Sequence, residues 1–176
     1  DRPQEAFLRP ESEVGRWRPL QIAFILMNLS SSVDGSDLDR ETVDLIWFPT
    51  GGGKTEAYLG LAAYALLYRR LKDPADSGTH VLMRYTLRLL TAQQFQRASG
   101  LACALEYIRC RENNASGRSL LGEDAFSIGL WVGGANTPNN NADAISRLNE
   151  ISRTDGRYAF VLVRCPWCGA EIGRVE

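Results

Sequence analysis

The chain has 176 residues, with 20 basic and 21 acidic side chains and a net charge of −1. That is one domain's length, and it lacks the overall basic field that nucleic-acid binding usually leaves on composition. A hydrophobic share of 44% and a charged share of 23% are ordinary for a globular protein, and no apolar run approaches the roughly 18 residues of a membrane helix.

Residues 1–18 begin Asp1-Arg2-Pro3-Gln4-Glu5, which is no signal peptide, and mix charge and proline without periodicity. They are expected to form an irregular leading segment. Pro19 then suits the first turn of a helix, and Leu20, Ala23, Phe24 and Met27 recur at helical spacing towards Leu29. Gln21 lies in this run, where a solvated helix residue is one reading of it. Ser30 to Arg40 is polar and reads as a loop.

The apolar run Val43-Asp44-Leu45-Ile46-Trp47-Phe48 is expected as a strand, and Pro49-Thr50-Gly51-Gly52-Gly53-Lys54-Thr55 follows it. Strand, glycine turn, Lys-Thr and helix are the layout of a phosphate-binding loop. Glycines at 51–53, with Thr50, let backbone N–H groups approach phosphate oxygens, and the next helix presents its positive end to the same anion. Lys54 would place its charge near the terminal phosphates and Thr55 would ligate Mg2+. The general pattern wants glycine where this chain has Phe48, and an ordinary flexible turn is the alternative. Only Lys54 and Lys72 are lysines, so the lysine in the turn is no chance draw from a lysine-rich surface.

Leu59, Ala62, Ala63, Leu66 and Leu67 then mark one helix face, Arg69 and Arg70 fall in a last turn where positive charge is favourable, and Asp73-Pro74 stops the helix. A second strand is expected at 80–85 and a helix from Leu89 to Cys110, on which Cys103 and Cys110 read as core residues. Arg111 to Asp124 reads as a loop. Strands at 126–132 and 158–163 flank a short helix from about Asn141 to Ile151. The fold class expected is α/β, a three-layer architecture with a mainly parallel sheet, helices on both faces, and the phosphate site at the carboxyl end of the first strand.

Pro49-Thr50-Gly51-Gly52-Gly53-Lys54-Thr55-Glu56-Ala57 resembles motif I of superfamily 2 helicases and translocases, P-loop NTPases that read P-T-G-x-G-K-T there and do not require the first glycine. Trp17-Arg18-Pro19-Leu20-Gln21-Ile22-Ala23-Phe24 resembles the element preceding motif I, which implies an adenine contact for Gln21. Thr86-Leu87-Arg88-Leu89-Leu90-Thr91-Ala92-Gln93 resembles motif Ia, with Arg88 and Gln93 on matching positions and Thr86-Leu87 replacing Pro-Thr. Donors at such a turn meet phosphates without reading bases. The turn from Gly133 to Thr137 matches the position of the family's next nucleic-acid loop. Motif II, an apolar strand running into Asp-Glu, has no counterpart: the last strand runs into Arg164-Cys165.

Cys165-Pro166-Trp167-Cys168-Gly169 resembles the knuckle of zinc ribbons, with a redox C-x-x-C as the alternative. Structural zinc wants four ligands, so Cys165 and Cys168 are expected to be half of a Zn2+ site completed beyond Glu176. Taken together the motifs resemble the DrmA-type helicases of the DISARM antiphage defence system. The resemblance implies a partial RecA-like nucleotide-binding domain over 19–164 and the start of a zinc-knuckle insertion at 165–176, in the front part of a longer protein. It also implies ATP and Mg2+ as cofactors, ATP-driven movement on DNA, a DrmB-like protein partner and a cytoplasmic setting away from membranes. Without motif II the chain alone is not expected to hydrolyse ATP. A non-catalytic module that binds nucleic acid or a partner through a vestigial nucleotide fold is the competing expectation.

Overall fold

The computed structural model describes residues 16–47, 51–85, 88–132, 138, 140–153, 162 and 164–172, with the helical backbone alone at 88–90 and 151–153. Helix α1 spans Pro19–Val33, α2 Lys54–Lys72, α3 Arg88–Ser116 and α4 Asn141–Arg153, and a 3-10 turn lies at Leu38–Glu41. The chain divides into two compact units, residues 1–82 with 105–126 and residues 83–104 with 127–176.

The mainly parallel three-layer sheet is not found: helices dominate, and the described residues contain no strand. Residues 43–47, 80–85 and 126–132, each expected within a strand, are neither helix nor strand. Phe48 and all of 158–163 except Leu162 lie outside the described residues. A strand exists only when a neighbour takes its N–H and C=O groups, whereas a short apolar run records hydrophobicity alone. Here the apolar side chains of the first segment lie open, with Val43 92%, Leu45 86% and Trp47 89% exposed. The one β-bridge among the described residues joins Arg164 to Glu171 in antiparallel fashion.

The helices start and stop for local reasons. At α1, Pro19 occupies the first turn, and the Arg18 N–H donates to Gln21 Oε1 at 2.8 Å, the reaching-back half of a capping box. Gly53 precedes α2 in the left-handed conformation (φ 82°), and Asp73 closes it by donating its N–H to Arg69 O at 2.8 Å. Asn140 caps α4, its Oδ1 accepting the Asp143 N–H at 2.8 Å. Helix α3 runs past Cys110 into the polar stretch read as loop and ends at Ser116.

In the first unit α1 packs on α2. The approach is close at Gly60, where a Cβ would lie 2.6 Å from Trp17 Cη2 and 3.1 Å from Ile25 Cδ1. Ala57 and Ala62 are buried on α2, and Leu105 and Leu121 are buried in the same unit. The segment from Gly117 to Phe126 is held by side chains of α2 and α3. Arg70, only 3% exposed, donates to Leu121 O (3.0 Å) and Asp124 O (2.8 Å) and lies over the Phe126 ring at 5.0 Å. Arg109 and Asn113 both donate to Gly122 O, at 2.9 and 2.8 Å, while Asn113 Oδ1 accepts the Leu121 N–H at 2.9 Å. Backbone groups that no ladder serves are thereby satisfied. In the second unit Ala98 and Ser99 of α3 are buried, and the Ser99 hydroxyl donates to Phe95 O at 2.7 Å.

Candidate functional site

Two constellations carry chemistry, one in each unit. The first is the glycine turn. Gly51 and Gly53 both have φ 82°, a backbone region that side chains with a Cβ enter at a cost, and α2 opens at Lys54 straight after them. The 19-residue α2 leaves the N–H groups of its first turn without intrahelical acceptors, pointing back along the axis with the positive end of the helix dipole. The α1 N-terminus lies behind the turn: Gln21 Nε2 donates to Gly53 O at 2.9 Å and Arg18 Nη1 donates to Gly51 O at 3.2 Å. A Cβ on Gly53 would collide with Gln21 Nε2, so the glycine is required by its neighbour as well as by its φ.

Of the residues expected to bind nucleotide, the structure brings together Gln21, Gly51, Gly52, Gly53, Lys54 and Thr55; Thr50 lies outside the described residues. Both ends of the Gln21 amide are engaged, Nε2 by Gly53 O and Oε1 by the Arg18 N–H. The Thr55 hydroxyl lies 3.1 Å from the Tyr58 hydroxyl one helical turn on. Arg18 and Tyr58 were not singled out for this site from the sequence. Tyr58 has only its i,i+3 spacing from Thr55 as a signal. The residue types are ones a phosphate group could use: two left-handed glycines followed by a helix whose first residue is a lysine. For Mg2+ the Thr55 hydroxyl is a single oxygen ligand beside a phenol. Among the described residues no three His, Cys, Asp or Glu side chains are grouped to hold a metal ion.

Of the residues expected to touch nucleic acid, Gln93 is exposed on α3. Arg88 is the first residue of α3, with its side chain outside the described set, and Gly133 and Thr137 also lie outside it.

The second constellation is the cysteine turn. Cys165 donates its N–H to Ala170 O at 2.7 Å, Gly169 donates to Cys165 O at 2.9 Å, and the Arg164–Glu171 bridge closes the loop. The backbone N–H groups of Cys168 and Trp167, and then the Cys168 thiol, donate to the Cys165 sulfur and hold its thiol below the usual cysteine range. N–H groups directed at sulfur favour the thiolate, the form that binds metal or attacks a disulfide. This suits the half of a zinc knuckle that two thiols can make. Pro166 lies against α3, where a Cβ on Gly100 would be 3.8 Å from Pro166 O. Burial raises the Cys103 thiol on the same helix, with further contributions from Cys165 and Cys168. Cys103, read from the sequence as packing, therefore faces the electrostatic influence of the turn, which nothing in its helical spacing signals. Cys110 lies exposed, its thiol donating to Glu106 Oε1 at 3.4 Å.

No family model matches the chain, and no solved structure matches it. Among curated proteins it is similar to the DISARM protein DrmA of Bacillus paralicheniformis, with 42% identity over 166 aligned residues. The match covers 88% of this chain and 14% of that protein, so the chain spans a small part of its relative's length. At that identity this is a DISARM-related sequence. No helix among the described residues is long and apolar enough to cross a membrane.

Proposed function

We propose that this DISARM-related chain is the nucleoside triphosphate-binding portion of a DrmA-type helicase or translocase, a cytoplasmic antiphage protein that couples ATP hydrolysis to movement on DNA. The observation that carries the reading is the pair of left-handed glycines, Gly51 and Gly53, opening directly onto α2 with Lys54 and Thr55 as its first two residues. In this reading the N–H groups of the turn and of the first turn of α2 bind phosphate oxygens. Lys54 neutralises charge at the far end of the phosphate chain, and the Thr55 hydroxyl contributes one ligand to the accompanying Mg2+. The bound metal supplies further charge neutralisation across the phosphates. With no Asp-Glu motif on this chain, it binds the triphosphate without hydrolysing it.

Arg88, Gln93, Gly133 and Thr137 are assigned to the sugar-phosphate backbone of DNA, where contacts are indifferent to sequence. Cys165 and Cys168 are assigned to half of a structural Zn2+ site, and a DrmB-like protein of the same system is the partner. Similarity to a DISARM protein supports the setting, and the glycine turn supports the ligand.

The test is equilibrium binding of a fluorescent ATP analogue, with and without Mg2+, to the chain and to its Lys54→Ala variant. Binding is expected for the wild type and a loss of at least tenfold for the variant, since a charge-assisted contact to phosphate is removed. Equal binding by both proteins would sink the reading. The helical architecture, with no strand among the described residues, favours one competing function, a module that binds DNA or a partner without using nucleotide. DNA affinity that responds to nucleotide supports the translocase, and salt-sensitive affinity with no nucleotide response supports the module.

A further inference from the structure

Helix α1 turns amides inward and hydrocarbon outward. Its inner side carries Gln21 and Asn28, both buried, with Ile25 beside Gly60 of α2. Leu20, Ala23, Leu26 and Met27 face the other way, the three large ones 53%, 62% and 75% exposed. Leu20, Ala23, Met27 and exposed Ser30 follow one another at the spacings of a seam that one helix offers to another. The charges at the helix ends are also reversed. Arg16 and Arg18 stand before the first turn, towards the positive end of the helix dipole, and Asp34, Asp37 and Asp39 follow the last turn, towards the negative end. Arg40 lies among these acids and donates to Ser31 O, which offsets one of them. A single helix gains from the opposite arrangement, whereas a second helix laid antiparallel brings its acids to these arginines and its arginines to these acids.

We infer that the outer face of α1 is the contact through which two copies of this chain pair, antiparallel about a two-fold axis at the level of Ile25. That axis sets Met27 against Ala23 of the second copy, a long side chain over a small one, and Arg16 beside Asp34 of the second copy. Each contact occurs twice, as an isologous interface requires. The helix has 15 residues and is about 22 Å long, and a face one such helix wide buries less than the roughly 800 Å² per partner of a standard interface. The dimer is therefore weak and reversible. It uses neither Trp47 nor Trp131 and does not rest on the nucleotide-binding reading.

Charge reversal gives the test. Chains carrying Arg16→Glu, or Asp34→Arg, repel their own kind, because both end contacts become like-charged; mixing the two restores opposite charges at both. The two ends of one α1 are too far apart to touch, so recovery on mixing requires a second chain. Sedimentation equilibrium is run from micromolar to near-millimolar chain on the wild type, each variant, their equimolar mixture and Met27→Asp, with far-UV circular dichroism checking that helix content is kept. Expected are a reversible wild-type dimer, a dissociation constant raised about tenfold in each charge variant, recovery to within about threefold of wild type in the mixture, and no dimer with Met27→Asp. Association that all three substitutions leave unchanged would belong to the exposed tryptophans and overturn the inference. Loss in the variants without recovery in the mixture would overturn the antiparallel pairing. A wild-type chain that stays monomeric, while Met27→Asp destabilises a protein of DrmA length, would give the face to the rest of that longer chain and overturn the second copy as its occupant.

Discussion

Glu106 collects donors from several directions. Arg109 grips it bidentately at 2.8 and 2.6 Å, and the Phe126 N–H reaches it at 3.0 Å. First the Arg109 contact, then the Phe126 N–H and the Cys110 thiol, hold its carboxyl at about 2 against an ordinary 4.5. A carboxyl depressed by folding contributes stability that is fully present above its unfolded pKa and is lost as pH falls through the folded one. The chain should therefore lose stability between about pH 4.5 and pH 2, and Glu106→Gln should flatten that part of the profile. At neutral pH the substitution should cost about 1–2 kcal/mol, discounted because solvent reaches the pair; urea unfolding at pH 7 and pH 3 measures both. Arg70 shows where sequence reading stops at this scale. Its place in the last turn of α2 fits a favourable charge at a helix C-terminus. Nothing in the spacing says that it turns inward to hold two carbonyls 51 and 54 residues away in the chain, since those partners are set by tertiary packing.

At the scale of elements, the helices were legible and the sheet was not. Pro19, the apolar periodicity and the Asp73-Pro74 stop are local signals: α2 falls where they place it, while α1 starts at Pro19 as expected but runs on to Val33, through residues read as loop. The end of α3 was missed because Arg111, Glu112, Asn113 and Asn114 read as loop by composition. Asn113 in fact anchors the following segment through the Leu121 N–H and Gly122 O, and so has reason to be held in the helix. The contact between α1 and α2 is fixed by a residue no periodicity marks, Gly60. Gly60→Ala should improve helix propensity and still destabilise the chain by about 1–3 kcal/mol, because the added methyl meets the Trp17 ring on a packed face. A lowered urea midpoint at unchanged slope, with Trp17 fluorescence shifted, is the expected result. A more stable variant would mean that the two helices separate freely.

Across the whole molecule, large apolar side chains lie open to water: Val43, Leu45 and Trp47, then Leu82 at 81% and Trp131 at 89%. These belong to the runs that the sequence marks as apolar strands, so hydrophobicity was legible while its burial was not. Among the described residues the buried apolar side chains are few, Ala57, Ala62, Ala98, Leu105 and Leu121. Exposed apolar surface of this kind drives association. The chain should self-associate with rising concentration, and sedimentation over a tenfold range should show it. Substituting Trp47 and Trp131 by Ser should move the onset upward; a monomer across that range would contradict the expectation. Of the candidate site, the glycine turn itself was the most legible part, because a glycine turn before a helix is specified by adjacent residues. Its supporting side chains, Arg18 and Tyr58, were visible only after folding.

Helix α2 begins at Lys54 and ends at Lys72, and these are the chain's two lysines. At about 1.5 Å rise per residue they stand roughly 27 Å apart on one rod, Lys54 beside the glycine turn and Lys72 with its ammonium 5.3 Å over the Tyr68 ring. An amine-acylating reagent therefore meets two side-chain targets, one at the glycine turn and one at the far end of the same helix. The ratio of their modification, read by mass spectrometry, would report on the proposed site: a ligand on the turn would shield the first amine, and the second supplies the reference within the same molecule.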